Sequence, residues 1–192
     1  MDKICLISMY VNDYKNSIAR KAHQDYAKKY DYKYLYIEEV DFPAFDFESF
    51  KFKKFLIIWL LFKRGYNWVI WIDADAVINE NAPSMPRLAD IQMVKDRDGF
   101  FNFGFGIFKN TDQVQNILDS LNKAKPIFYD KKFNCDLNKI SAYIKASIDV
   151  FELSNLWNNM YDLNLESYIT HFSKDLAPLK REKLKLDYTN EN

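Results

Sequence analysis

Five consecutive apolar residues, Trp68-Val69-Ile70-Trp71-Ile72, run straight into Asp73-Ala74-Asp75, and few folds accommodate that juxtaposition. A short unbroken apolar run rich in aromatic and β-branched side chains predicts a strand covered on both faces, because a strand with one wet face alternates. Covered faces imply a sheet between layers of helix. In open α/β sheets ligands sit beyond the carboxyl ends of the strands, which is where Asp73 and Asp75 fall. Two residues apart in extended backbone, the two carboxylates can face one point in space. Leaving both unpaired beside so apolar a segment would cost on the order of several kcal/mol, which a hard divalent cation, Mn²⁺ or Mg²⁺, would offset. The alternative, aspartates that merely cap a turn, fits Asp96-Arg97-Asp98 better, since no strand precedes that triplet and it reads as a solvated loop.

The flanking segments supply the rest of such a sheet. Lys3 to Met9 predicts a buried first strand leading into a polar loop, Tyr10 to Asn16. Ser17 to Tyr30 carries Ile18, Ala22, Tyr26 and Ala27 at helical spacing; Tyr32 to Glu38 suits a second strand. Phe42 to Phe50 reads as an aromatic connection, and Phe52 to Lys63 as a second helix with Gly65 placed to stop it. The order β-α-β-α-β predicts a parallel sheet with right-handed crossovers. Farther on, Phe100 to Lys109 reads as a strand or strand pair, Asp112 to Lys123 and Asp136 to Lys145 as helices, and Tyr168 to Phe172 as a short late strand. Phe151 to Leu165 has no clear period. With no repeat, low-complexity tract or linker, a single α/β domain over residues 1–192 is expected.

Composition narrows the function. The 27 basic residues balance 27 acidic ones, which argues against a nucleic-acid partner, since neutralising many phosphates takes a strongly basic face. Cys5 and Cys135 lack metal-ligand spacing; Cys5, in an apolar run, reads as a buried free thiol in a reducing compartment. No apolar stretch reaches the ~20 residues a membrane span needs, and Met1 leads at once into Ile4-Cys5-Leu6-Ile7 without a signal peptide. The expected setting is cytoplasmic, or within a longer protein as one of its domains. The basic Lys180 to Lys185 tail is a candidate for peripheral contact with an anionic membrane, weighed against a solvated terminal helix.

With the strand and its acids placed, the sequence resembles the nucleotide-sugar glycosyltransferases of the GT-A fold, a Rossmann-like, mostly parallel sheet flanked by helices. The nearer likeness is to the galactosyl/xylosyl-transferase family that includes plant xyloglucan and galactomannan enzymes and fungal mannan polymerase subunits; a looser one is to the glycogenin-like family. Trp68 to Ile78 resembles that family's Asp-x-Asp strand, and His23 to Tyr32 its early helix end, with Tyr30-Asp31 where His-Gly is usual. Asn102-Phe103-Gly104 is similar to its Asn-x-Gly strand, Cys135-Asp136 to its Asp-Gln helix start, and His171-Phe172-Ser173 to its terminal His-Phe motif. A nucleotide-binding half over about 1–80 and an acceptor half over about 81–192 are implied.

The resemblance also implies roles. Asp73, Asp75 and His171 would hold the cation, which bridges the donor's phosphates. Ser8 and Tyr10 after the first strand, Lys53 on the helix before the metal strand, Ala74 between the acids, and Lys174 would bind the donor, a UDP-sugar first. For Lys53, adjacent Lys54 is almost as good a choice. Tyr10 could stack on a base ring. Asn102, Gly104 and Asp136 would line the pocket for sugar and glycan acceptor: Gly104 permits close backbone approach, Asn102 can hydrogen-bond hydroxyls, and Asp136 can accept from them or act as a base. The family implies retention of configuration, while Asp136 leaves an inverting route open. Lys174-Asp175 stands where the family commonly carries glycine, which puts diphosphate contacts of that loop in question.

Two other readings compete. Apolar residues followed by Asp73-x-Asp75-x-Val77 also fit the nucleophile motif of a haloacid-dehalogenase-type phosphatase, with Asp73 attacking phosphorus. That motif normally opens its domain, whereas two βα units precede it here. The other reading is a non-catalytic carbohydrate-binding remnant of the GT-A fold, which the aromatic content would suit.

Overall fold

A computed structural model describes residues 2–10, 17–38, 50–123, 137–160 and 166–172. In chain order the elements are β1 (Ile4–Tyr10), α1 (Ser17–Lys29), β2 (Lys33–Glu38), α2 (Phe50–Lys63), β3 (Trp68–Ile72), β4 (Ala76–Ile78), β5 (Ile91–Lys95) and β6 (Phe101–Lys109). They continue with α3 (Asp112–Lys123), α4 (Leu137–Ser147), β7 (Val150–Leu153), a 3-10 turn at Asn155–Trp157 and β8 (Ile169–His171). Six strands form one sheet in the order β2-β1-β3-β6-β5-β7, and β4 pairs with β8 in a separate ribbon.

β1 is parallel to β2 and β3, as the opening βαβαβ pattern predicts. The second half departs from a purely parallel plan: β6 runs antiparallel between β3 and β5, and β7 then pairs parallel with β5. The sheet is therefore mixed, with parallel pairing at three of its five junctions.

Every residue of β3 is buried. Val69 and Trp71 join one core with Phe55, Ile58 and Leu61 of α2 and Leu118 and Leu121 of α3. Trp68, Ile70 and Ile72 point into the other, with Tyr26 and Ala27 of α1 and with Met85 and Trp157. The helices follow from the same logic. α3 buries Val114, Ile117, Leu118 and Leu121, a spacing that makes one apolar stripe, and Thr111 Oγ1 accepts the Val114 N–H at its start. Two residues past the end of α1 at Lys29, Asp31 adopts a φ of +56°, in the left-handed region that favours glycine. Gly65 stops α2 with φ +83°.

The alternation of β6 changes face in the middle. Phe101 and Phe103 belong to the first core but Phe105 and Ile107 to the second, and the β5 register shifts alongside, between Met93 and Lys95. Between the Met93–Gly106 and Lys95–Phe101 pairs β6 takes five steps against two on β5, and Gly104, an internal strand glycine of the kind that accompanies β-bulges, lies within that excursion.

Cys5 is buried, and burial pushes its thiol up to about 12, against a small pull from Lys33, so it is inert. Asp96-Arg97-Asp98 lies in the turn joining β5 to β6, with Asp96 Oδ1 accepting the Asp98 and Phe100 amides; it is a loop as expected, but the premise that no strand precedes it is wrong, since β5 ends at Lys95. Among the described residues no helix is long and apolar enough to cross a membrane.

Candidate metal centre

Asp73 is the first residue past β3, and three groups fix it there. Its N–H donates to Gly104 O at 2.8 Å, while Oδ1 accepts from Trp71 Nε1 at 2.6 Å and from Lys54 Nζ at 3.2 Å. Trp71 reaches it because side chains two apart in a strand share a face. Lys54 rises from α2, nearly buried, and also donates to Phe103 O at 2.8 Å. A buried ammonium is tolerated because both partners are close. With Oδ1 taken twice over, the other Asp73 oxygen is the one left to a ligand.

The chain then turns: Ala76 N–H donates to Asp73 O, Ala74 packs its methyl inward, and Asp75 comes round to the same side. β4 carries the turn into its ribbon with β8, where Ala76 stands opposite His171. That pairing brings together residues 96 apart in sequence, with His171 Nε2 3.1 Å from Asp75 Oδ1. Burial pushes the Asp75 carboxyl up, but the hydrogen bond and charge of His171, a backbone amide and Lys54 outweigh it and hold the group below its ordinary value.

One ligand atom from each of Asp73, Asp75 and His171 lies within 4.8 Å of the other two. The donor set suits a divalent cation: two anionic oxygens and an imidazole nitrogen, with a lysine close enough to temper carboxylate repulsion.

The surroundings of these residues are as specific as the ligands. His171 Nδ1 lies 2.9 Å from Asn158 Oδ1, Asn158 Nδ2 donates to Asn102 Oδ1 at 2.8 Å, and the Gly104 N–H donates to the same Asn102 oxygen at 2.8 Å. Gly104 lies against the imidazole: a Cβ there would meet His171 Cε1 at 2.3 Å. The glycine expected to admit a ligand admits the histidine ring. On the far side of the turn, fully buried His23 places Nε2 2.8 Å from Ala76 O, and its Nδ1 is 3.2 Å from Ser8 Oγ, which is 3.2 Å from Tyr34 OH. A carbonyl can only accept, so Nε2 carries the proton and Nδ1 accepts from Ser8. Burial lowers the His23 pKa to about 4, against the opposing bond to Ala76.

The other residues singled out from the sequence fall as follows. Ser8, expected in a loop, lies within β1 because that strand extends to Tyr10; its hydroxyl is buried and engaged with His23. Tyr10 ends β1 at the same sheet edge, its side chain beyond the described features. Lys53 is buried on α2, and it is Lys54 that reaches Asp73. Asn102 lies within the Asn158–Gly104 network and also points Nδ2 at Met160 Sδ, 3.0 Å away. Asp136, Lys174, Cys135 and the basic tail lie outside the described residues. Asn158, His23 and Trp71 were missed as site residues. Trp71 carried a legible signal, its i, i+2 spacing to Asp73; Asn158 sits where no period could place it.

The sequence matches no protein-family model and no curated protein. Solved structures do match. A glycosyltransferase involved in the glycosylation of the major capsid of PBCV-1 superposes with a TM-score of 0.68 at 16% identity over 94% of this chain and 99% of that one. The glycosyltransferase GlyE of Streptococcus pneumoniae TIGR4 gives 0.61 at 12% identity over all of this chain, which spans 61% of GlyE; its apo form gives 0.58 at 13%, over 90% of this chain and 55% of that one. At such identities the likeness is one of fold, and the chain has the GT-A-like α/β architecture of these proteins.

Proposed function

We propose that this protein is a metal-dependent glycosyltransferase that moves a sugar, hexosyl or pentosyl, from a nucleotide-sugar to a carbohydrate or glycan acceptor. The observation that carries the reading is the convergence of Asp73, Asp75 and His171 at the carboxyl end of the central strand, in a sheet shared with solved glycosyltransferases. A divalent cation, Mn²⁺ or Mg²⁺, bound there would neutralise charge appearing on the departing nucleoside diphosphate.

The chain's own residues prepare the rest. Trp71 and Lys54 hold Asp73 in one rotamer, so its outward oxygen is preorganised. His23 pins the turn that carries Asp75 through the Ala76 carbonyl. Tyr10, at the end of β1, is assigned to the nucleotide, UDP first, and Lys174 to the diphosphate. Asp136 and the Asn102–Gly104 segment are assigned to the sugar and acceptor side, with retention of configuration. These assignments rest on the sequence resemblance.

Thermal shift against a donor panel tests the proposal. A UDP-sugar at about a hundred times its Kd raises Tm by about 5–10 °C with Mn²⁺ or Mg²⁺ present and leaves it unchanged with chelator. Slow donor hydrolysis accompanies binding, with no preference for phosphomonoesters. Equal stabilisation with and without cation would overturn the metal-dependent reading.

A further inference from the structure

The hydrogen-bond chain behind His171 starts from a group whose role is unambiguous. The Gly104 backbone N–H can only donate, so the Asn102 atom it meets at 2.8 Å is the amide oxygen. That oxygen accepts, so the Asn158 atom facing it at 2.8 Å is the NH₂ group. With its amide thereby oriented, Asn158 turns its oxygen toward His171 Nδ1, 2.9 Å away. An oxygen facing a ring nitrogen at that distance takes a proton from it. His171 Nδ1 is therefore a donor, and Nε2 is left facing Asp75 Oδ1 at 3.1 Å, where it donates to the carboxylate when no cation is present. A divalent cation taken up by the carboxylates would replace the Nε2 proton and leave the one on Nδ1.

We infer that Asn158, itself oriented by Asn102 and the Gly104 amide, is a positioning residue that fixes the His171 tautomer so that Nε2 faces a divalent cation shared with Asp73 and Asp75. The inference rests on the metal-site reading above. It assigns Asn158 a function the sequence did not suggest, and it makes Asn102 a support for the histidine. Gly104 contributes twice, through the amide that starts the chain and through the missing Cβ that leaves room for the ring. Partners of this outer kind set ligand orientation and basicity, and their loss typically weakens metal binding about 10–100-fold.

The chain's two histidines make the test direct, because opposite tautomers are expected of them. His23 donates through Nε2 to Ala76 O and so carries its proton there. Histidine-selective ¹⁵N NMR of the protein loaded with diamagnetic Mg²⁺ should show His23 protonated on Nε2 and His171 on Nδ1. The variant Asn158→Leu removes the acceptor at similar volume; it should lose the Nδ1–H preference of His171, leave the His23 signals in place, and bind Mn²⁺ about 10–100-fold more weakly by calorimetry. A Mg²⁺-loaded wild type whose His171 is protonated on Nε2 instead of Nδ1 overturns the inference even if Asn158→Leu fails to fold, and so does Asn158→Leu with unchanged tautomer and Mn²⁺ affinity. Failure of the metal reading would show separately, as wild-type protein that takes up no Mn²⁺ whatever its nitrogen shifts.

Discussion

Gly104 packs closer to the candidate ligands than any side chain could. The variant Gly104→Ala would put its methyl 2.3 Å from His171 Cε1 and 2.8 Å from Nδ1, so the ring must move. Overpacking of this sort costs about 1–3 kcal/mol, and a displaced ring should weaken Mn²⁺ binding about 10–100-fold. Urea denaturation and calorimetry on one preparation measure both. Asp75→Asn removes an anionic oxygen and should lower donor turnover at least about 100-fold with the fold intact, as circular dichroism would show. His23 gives a pH signature. Its folded-state pKa of about 4 lies below the ordinary 6.5, so between these values the unfolded chain binds the proton and the folded one does not. Stability is full above the upper value and falls as pH drops through the window, by about 2 kcal/mol from about pH 7 to about pH 5. Urea unfolding of wild type against His23→Gln at both pH values should show a steeper acid loss in wild type; parallel losses would refute the buried neutral histidine.

At the scale of elements, the sequence was most legible where one periodicity ran uninterrupted. β3 and α3 have the boundaries read from Trp68–Ile72 and Asp112–Lys123. The β5–β6 hairpin was harder. Its signal was present in Asp98-Gly99 between two apolar runs, and Gly99 does adopt φ +81°, but the change of face around Gly104 breaks the period-two pattern of β6. β4 and β8 were illegible as a pair because strands this short gain stability only from each other, at a separation no local pattern encodes. The site divides the same way. The carboxylates stand out at a strand end, whereas Asn158 acquires meaning only when the fold sets it beside His171. Helix ends offer an independent check: Asp31→Gly, at φ +56°, should stabilise by about 0.5–1 kcal/mol without changing cation affinity, and Gly65→Ala, at φ +83° with open space around it, should destabilise by a similar amount.

At the scale of the molecule, the two larger apolar cores among the described residues lie on opposite faces of one sheet, and the candidate metal centre lies outside both, at the strand ends. Cation removal should therefore spare the fold: chelator is expected to leave far-UV circular dichroism unchanged while abolishing stabilisation by donor. The two parts of the centre also become available at different times. Both acids belong to the first 75 residues, while the imidazole arrives through a ribbon strand formed by residues 169–171. A nascent polypeptide that has left the ribosome only as far as residue 160 carries the carboxylates without their third partner. Synthesis of the late segment thus completes the candidate triad, and half-made chains hold only its two carboxylates.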